Sequence, residues 1–260
     1  MTPAQFQSIR TWFDGYVAGF VGAGDGLKPL HEMKRDHTLR VVTDAKEIAE
    51  ELGWTERDVR TGEAIALLHD AGRFSQVSEF KTFSDRDSVN HAERARDVVL
   101  EAGVLDPLEP DERKCIFEGI LYHNRFSVPE DILPGHVRFA QLIRDADKLD
   151  IYDVAQEAVR SGAIEKHPEI AIHVDLDLGV SGSILAEVGA RKLGSYAHMK
   201  TLGDFLLVQM SWIYDLNFVP TFRRVRDRKV LERITELLPD SPEVIAVVSK
   251  VQADLAERLK

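Results

Sequence analysis

Apolar side chains recur at steps of three and four along most of this chain, the spacing that gathers them on one face of an α-helix. Leu30, Met33, Val41, Ala45 and Ile48 form one such stripe with His37 set among them, and it runs out near Gly53. Thr55 reads as the N-cap of the next helix, which carries Ile65, Ala66, Leu68 and His69. Gly72 stands where a helix C-terminus favours glycine. Ser88 is placed to cap a third helix running to about Gly103. Asp111 starts a fourth, with Ile116, Ile120 and His123 on one face. A fifth follows Pro134 and Gly135 and aligns Phe139, Ile143, Asp147 and Ile151 at steps of four.

The second half repeats the helical pattern, from about Ser183 to Leu193, Leu202 to Leu216, Val225 to Leu238, and Pro242 to the end, where Ser241-Pro242 resembles an N-cap followed by proline at the first helical position. Ala171 to Leu178 alternates like a short strand, but one strand alone is not stable, so the segment reads as an extended loop. Gly22-Ala23-Gly24-Asp25-Gly26 reads as a loop between an N-terminal helix and the main bundle. The expected fold is therefore all-α: a single domain with its core over residues 28–160 and a helical extension over residues 180–260. No internal repeat, low-complexity tract or linker interrupts it.

Bulk properties narrow the partners. A chain of 260 residues with 44% hydrophobic and 30% charged residues is ordinary for a globular protein with a substantial core. The formal net charge of −11 argues against a broad phosphate-neutralising surface, so no stable nucleic-acid binding is expected. A small anionic substrate remains compatible, because a local cationic site or a metal reverses the field inside one pocket. Cys115 is the sole cysteine, which excludes an intrachain disulfide and fits a reducing compartment. The first residues do not read as a secretory signal, and no apolar stretch approaches the roughly 20 residues that span a bilayer. The expected location is the cytoplasm, away from membranes.

Four polar residues occupy positions where an amphipathic helix places apolar ones. His37 lies between Met33 and Val41, His69 one turn after Ile65, Asp70 one turn after Ala66, and Asp147 between Ile143 and Ile151. A buried aspartate needs a hydrogen bond, an ion pair or a metal. One metal site answers all four demands, since neutral imidazole and carboxylate are both metal ligands.

These residues resemble the HD superfamily of metal-dependent phosphohydrolases, whose signature is a histidine, an adjacent His-Asp pair and a distant aspartate on separate helices. The three elements here are Lys34-Arg35-Asp36-His37, Leu67-Leu68-His69-Asp70-Ala71-Gly72 and Arg144-Asp145-Ala146-Asp147-Lys148-Leu149-Asp150. Between them lie Asn90-His91-Ala92 and Tyr122-His123-Asn124-Arg125, where binuclear members carry histidines that bind or adjoin a second metal. The resemblance implies that His37, His69, Asp70 and Asp147 hold one divalent ion, and that Asp70 bridges to a second completed by His91 and His123. Iron, manganese, zinc, nickel or magnesium are the candidates. It further implies hydrolysis of a phosphomonoester or phosphodiester, on a nucleotide or small phosphorylated metabolite, by a metal-bridging hydroxide. Arg73, Lys148 and Asn124, beside the ligands, join Asp70 as candidate catalytic residues. The chain departs from the HD-GYP branch: Met33 replaces a glutamate, Asn124 replaces a histidine, and the Gly-Tyr-Pro element is missing. A non-catalytic metal- or nucleotide-binding signalling module and a diiron oxygenase are the alternatives.

The remaining polar features read more plainly. Asp150, on a neighbouring stripe, is a rival to Asp147 as the ligand or else a residue that supports one. Arg73 and Lys148 divide between substrate contact and a salt bridge. Asp85 and Asp87 read as a solvated loop, with the alternative that they face the site, because they lead straight into His91. The run Arg223 to Lys229 reads as a solvated helix face, with a patch for an anionic ligand or partner as the alternative. His31, His136, His167, His173 and His198 have no motif around them.

Overall fold

Side-chain caps set where the helices begin. In the computed structural model, which describes residues 1–22, 27–166 and 174–260, the Thr2 hydroxyl accepts from the Gln5 amide at the start of α1 (Pro3–Ala18). After α2 (Pro29–Glu51), Gly53 takes a φ of +70°, a left-handed turn that glycine adopts without a Cβ clash. Thr55 then caps α3 (Glu56–Leu68) through the Asp58 amide. After α4 (Ala71–Phe80), α5 (His91–Glu101) is opened by Asn90, whose side-chain oxygen accepts from the Ala92 and Glu93 amides. Prolines at the first position open α6 (Pro110–Tyr122) and α7 (Pro134–Arg160). The short α8 (Ala163–Lys166), then α9 (Gly182–Gly189), α10 (Leu202–Ser211), α11 (Val219–Asp227), α12 (Val230–Thr235) and α13 (Pro242–Arg258) complete the chain, the last capped by Ser241. The fold is all-α.

Several boundaries differ from the expected ones, each for a local reason. Ser88 does not cap α5: its hydroxyl donates to the Ser84 carbonyl instead, and Asn90 does the capping. The expected helix from Ser183 to Leu193 stops at Gly189, and Arg191 follows at a φ of +60°. The helix expected over Leu202 to Leu216 tightens after Ser211 into a 3₁₀ turn, Trp212–Tyr214. The helix expected over Val225 to Leu238 divides, because Lys229 takes a left-handed φ of +51° between α11 and α12. Of the alternating segment, residues 171–173 lie outside the described residues. Asp175 makes an isolated parallel bridge to Thr201, and no strand forms over residues 174–178. Residues 23–26 of the glycine-rich segment also lie outside them, flanked by an isolated antiparallel bridge between Val21 and Leu27.

The described residues group into two compact units, Met1–Asp150 and Ile151–Lys260. In the first, α3 packs on α1, α2 and α6, and α4 packs on α5. Val41, Ala45 and Ile48 of α2, Ile65 and Leu68 of α3, Ile116 and Ile120 of α6, and Ile143 of α7 are all buried. Each large aliphatic side chain among them contributes roughly 1.5–3 kcal/mol from leaving water. Among the described residues, no helix is long and apolar enough to cross a membrane.

In the second unit α9 packs on α10 and α13. Asp204, in the first turn of α10, is fully buried. Its carboxylate accepts from the Ser181 amide at 2.6 Å, the Ser181 hydroxyl at 2.7 Å and the Lys200 amide at 2.9 Å. Burial opposes its charge, but the Ser181, Lys200 and Thr201 donors outweigh it and hold the carboxyl below its ordinary value. A lowered carboxyl pKa stabilises the fold above the unfolded-state value near 4, and that contribution is lost as pH falls through the folded value. Asp204→Asn should therefore cost on the order of 3 kcal/mol near neutrality. It should also flatten the acid limb of a plot of unfolding free energy against pH, measured by urea titration. An acid limb identical to that of the wild type counts against this role for Asp204.

Candidate metal centre

The polar residues on the apolar stripes meet at one point in the first unit. His37 projects from the middle of α2, His69 follows the last residue of α3, and Asp70 precedes α4. His91 is the first residue of α5, His123 directly follows α6, and Asp147 lies in α7. His37, His69, Asp70, His91 and His123 are buried, and the Asp147 side chain is 16% exposed. Candidate ligand atoms fall into three groups, each within 4.8 Å: His37 with His69 and Asp70, Asp70 with His91 and His123, and His69 with His123 and Asp147. The last of these links the two sets expected from the sequence.

Local structure frees these side chains to face one another. Asp70 occupies the N-cap position of α4 but makes no capping hydrogen bond, so its carboxylate turns inward. The Tyr16 hydroxyl donates to the Ala71 carbonyl at 2.9 Å, and Phe13, Tyr16 and Phe20 of α1 and its following turn pack against Phe74. Gly72 is not at a helix C-terminus. It lies in the first turn of α4, where a Cβ would stand 2.3 Å from the His91 carbonyl oxygen and 2.6 Å from the Ala95 amide nitrogen. Glycine is required because the backbone of α5 passes this close, which brings His91 to the site. The buried Arg144 guanidinium binds the carbonyls of Tyr122 at 3.1 Å, His123 at 3.3 Å and Phe126 at 3.1 Å, and also that of Arg125. It thereby ties the end of α6 to α7.

Hydrogen bonding on the outer side of each imidazole assigns its tautomer. His69 Nδ1 meets the Ala66 carbonyl and His123 Nδ1 meets the Ile120 carbonyl, both at 2.7 Å. His37 Nδ1 meets Asp150 Oδ2 and His91 Nδ1 meets Asp85 Oδ2, both at 2.6 Å. Carbonyl and carboxylate oxygens only accept, so each Nδ1 donates, and in the neutral form of each ring Nε2 turns a bare lone pair inward. His37 Nε2 and His69 Nε2 are buried without a hydrogen-bond partner. They lie 3.5 and 3.6 Å from Asp70 Oδ2, and 3.2 and 3.6 Å from Asp147 Oδ1. His91 Nε2 and His123 Nε2 face each other at 2.9 Å and lie 3.6 and 3.9 Å from Asp70 Oδ1. Buried lone pairs and carboxylate oxygens crowded in this way repel unless a cation sits among them, so the donor set fits divalent metal.

The electrostatics agree. Burial opposes the charge of Asp70, but Lys34 and His69 outweigh it and hold the carboxyl well below its ordinary value. Burial likewise opposes Asp147, and His37 and His69 hold it well below. Burial lowers His91, with Arg73 adding to the effect, and lowers His123 strongly, with His91 adding. Those two rings are neutral and ready to ligate. Burial and Lys34 also oppose a proton on His37, but Asp147, Asp150 and Asp70 outweigh them and lift it to about 10. A metal ion and that proton compete for the same carboxylates.

The other expected residues find definite partners. Arg73 Nη1 contacts Asp85 Oδ1 at 3.0 Å and Gln76 Oε1 at 2.9 Å, with its Nε 3.5 Å from Asp70. Asn124 donates to Asp85 at 3.3 Å and to Asn90 at 3.1 Å. Lys148 reaches the Arg144 carbonyl at 3.4 Å. Asp85 is not a solvated loop residue: it sits in a 3₁₀ turn, Asp85–Asp87, against His91. Burial opposes its charge, but His91 and Arg73 hold it down to about 2. Asp87 turns away to the Ser84 hydroxyl at 2.7 Å. Sequence reasoning missed Lys34, whose ammonium lies 2.7 Å from Asp70 Oδ2 and 5.5 Å from the Phe83 ring centre. The available signal was its position one helical turn before His37.

Residues 35–152 match the family model described as the HD domain. No curated protein and no solved structure matches the chain significantly.

Gly72→Ala should lower stability by roughly 1–3 kcal/mol and weaken cation binding, because the new methyl displaces the α5 backbone that carries His91. Thermal unfolding and Mn²⁺ titration check this. If both are unchanged, close helix approach is not the reason for the glycine.

Proposed function

We propose, from the match of residues 35–152 to the HD-domain model, that this chain is a metal-dependent hydrolase of the HD-domain superfamily, a phosphohydrolase that uses two divalent cations. Its substrate is a phosphomonoester or phosphodiester, on a nucleotide or another small phosphorylated metabolite. The observation that carries this reading is the division of one carboxylate. Asp70 Oδ2 faces His37 and His69, while Asp70 Oδ1 faces His91 and His123. On this reading His37, His69, Asp70 and Asp147 hold one cation, and Asp70, His91 and His123 the other. A nitrogen-rich set of this kind favours iron, manganese, zinc or nickel over magnesium alone.

When bound, such cations lower the pKa of water towards neutrality and offset charge on phosphoryl oxygens. The chain supplies the rest. Asp70 and Asp147 stay ionised and keep the cations in place. Asp150 and Asp85 hold His37 and His91 with Nε2 inward. Lys34, with its side chain 17% exposed, offers an ammonium to an anionic phosphoryl oxygen at the mouth of the site. Lys148, next in sequence to Asp147, is the second candidate for such a contact. Arg73 and Asn124 act through Asp85.

Asp70→Ala should release bound metal and lower turnover by about a thousandfold or more, the several kcal/mol that metal catalysis supplies. Elemental analysis beside a panel of phosphorylated substrates with added Mn²⁺ checks this. Full activity in metal-free Asp70→Ala protein excludes the mechanism.

Lys34→Met should move two quantities in opposite directions. Loss of a cation 2.7 Å from Asp70 favours Mn²⁺ binding, while kcat/KM falls on the order of tenfold to a hundredfold for want of the phosphate contact. A titration and a rate measurement on one sample suffice, and parallel changes would argue against a substrate role.

A further inference from the structure

Each of the two donor groups contains one histidine backed by a backbone carbonyl and one backed by a carboxylate. In the first, Ala66 backs His69 and Asp150 backs His37. In the second, Ile120 backs His123 and Asp85 backs His91. The carbonyl contacts come from three residues earlier in the same chain turn and follow from the helix end. The carboxylate contacts come from elsewhere and are matters of sequence. Asp150 lies one turn beyond Asp147 on α7, whereas Asp85 lies in a turn between helices and in no ligand motif.

We infer that Asp85 is a positioning residue for the second cation: by accepting the Nδ1–H of His91 it keeps Nε2 turned inward and so governs whether that position fills. The inference rests on the two-cation reading above.

Four side chains converge on this one carboxylate. His91 Nδ1 lies 2.6 Å from Oδ2, and the Asn124 amide donates to the same oxygen at 3.3 Å. Arg73 and the Gln76 amide each donate to Oδ1 at 3.0 Å. Gln76 is fully buried, and the same nitrogen also donates to the Ser88 hydroxyl at 2.9 Å and the Val89 carbonyl at 3.0 Å. Asp85 is therefore fixed to α4 and to the segment leading into α5. Because both Asp85 oxygens accept, the imidazole has no alternative tautomer that keeps this bond. A neutral amide in its place supports His91 only by turning its carbonyl towards Nδ1. It gives up the negative charge that makes the ring a stronger ligand and leaves Arg73 with only Asp70, 3.5 Å from its Nε, as a neighbouring anion. His37 and Asp147 do not touch Asp85, so the first position should be indifferent to it.

The test is Mn²⁺ titration of the full chain, following free Mn²⁺ by electron paramagnetic resonance, with metal content by mass spectrometry and unfolding midpoints as a control on folding. The wild type is expected to bind two Mn²⁺. Asp85→Asn should weaken one step about 10- to 100-fold and leave the other unchanged, and Asp85→Glu should restore part of the loss. Asp150→Asn should weaken the opposite step. Two unchanged steps in folded Asp85→Asn overturn the role of Asp85 while the two-cation reading stands. Equal weakening of both steps, or no recovery in Asp85→Glu beyond that in Asp85→Ala, also overturns it. A wild type that binds fewer than two Mn²⁺ removes the two-cation reading, and this inference with it.

Discussion

Lone pairs do not pack against lone pairs in a buried space, yet four imidazole nitrogens and three carboxylate oxygens are aimed into one such space here. His91 and His123 bring their Nε2 atoms to 2.9 Å of each other. His37 and His69 turn theirs towards Asp70 and Asp147 without any hydrogen-bond partner. No arrangement of neutral tautomers relieves this, because every Nδ1 is already committed as a donor to an oxygen that only accepts. The free energy of the arrangement is set by positive charge placed among those atoms, as a cation or as a proton, and helix placement in the first unit follows from the need to hold them there.

The scaffold meets that need mostly with helix ends. His69 and His123 stand directly after α3 and α6, where carbonyls have lost their helical partners and are free to accept from an imidazole. Asp70 and His91 stand at helix beginnings, and the absence of a Cβ at Gly72 lets those beginnings lie side by side. Only His37 and Asp147 come from helix interiors, where the apolar stripes around them fix their direction. A ligand at a helix end is aimed by one turn of backbone. A ligand in an interior is aimed by the packing of a whole face.

This division explains what could be read beforehand. His37 and Asp147 were legible because a polar residue inside an apolar stripe breaks a pattern, and His69-Asp70 because the pair follows a strongly apolar run. Helix existence was legible for the same reason, and Thr55 and Ser241 were legible as caps from their own chemistry. Gly72 was misread because the nearest rule for glycine concerns its dihedral freedom, whereas its function here is steric and depends on a helix twenty residues away. Asp85 looked like a loop residue because nothing in Phe83-Ser84-Asp85-Arg86-Asp87 distinguishes the carboxylate that faces inward from the one that bonds Ser84. Lys34 was passed over because its partner, Asp70, is 36 residues distant. The breaks at Arg191 and Lys229 rest on left-handed backbone in residues with no preference for it, so residue type gave no signal of them.

The charges around the centre form two layers with different tasks. Each outer carboxylate has its own arginine: Arg40 contacts Asp150 at 2.5 and 3.1 Å, and Arg73 contacts Asp85 at 3.0 Å. The outer layer is thus close to neutral, and its carboxylates polarise the histidines without adding net negative charge to the site. In the inner layer, Asp70 and Asp147 are balanced in part by Lys34. Two divalent cations would overcompensate that remainder and leave positive charge facing outward from a protein of formal charge −11. A phosphoryl group carries the opposite charge. Pairing each supporting carboxylate with an arginine therefore lets the imidazoles be strong ligands while the mouth of the site still attracts an anion, a combination that unpaired supporting aspartates would defeat.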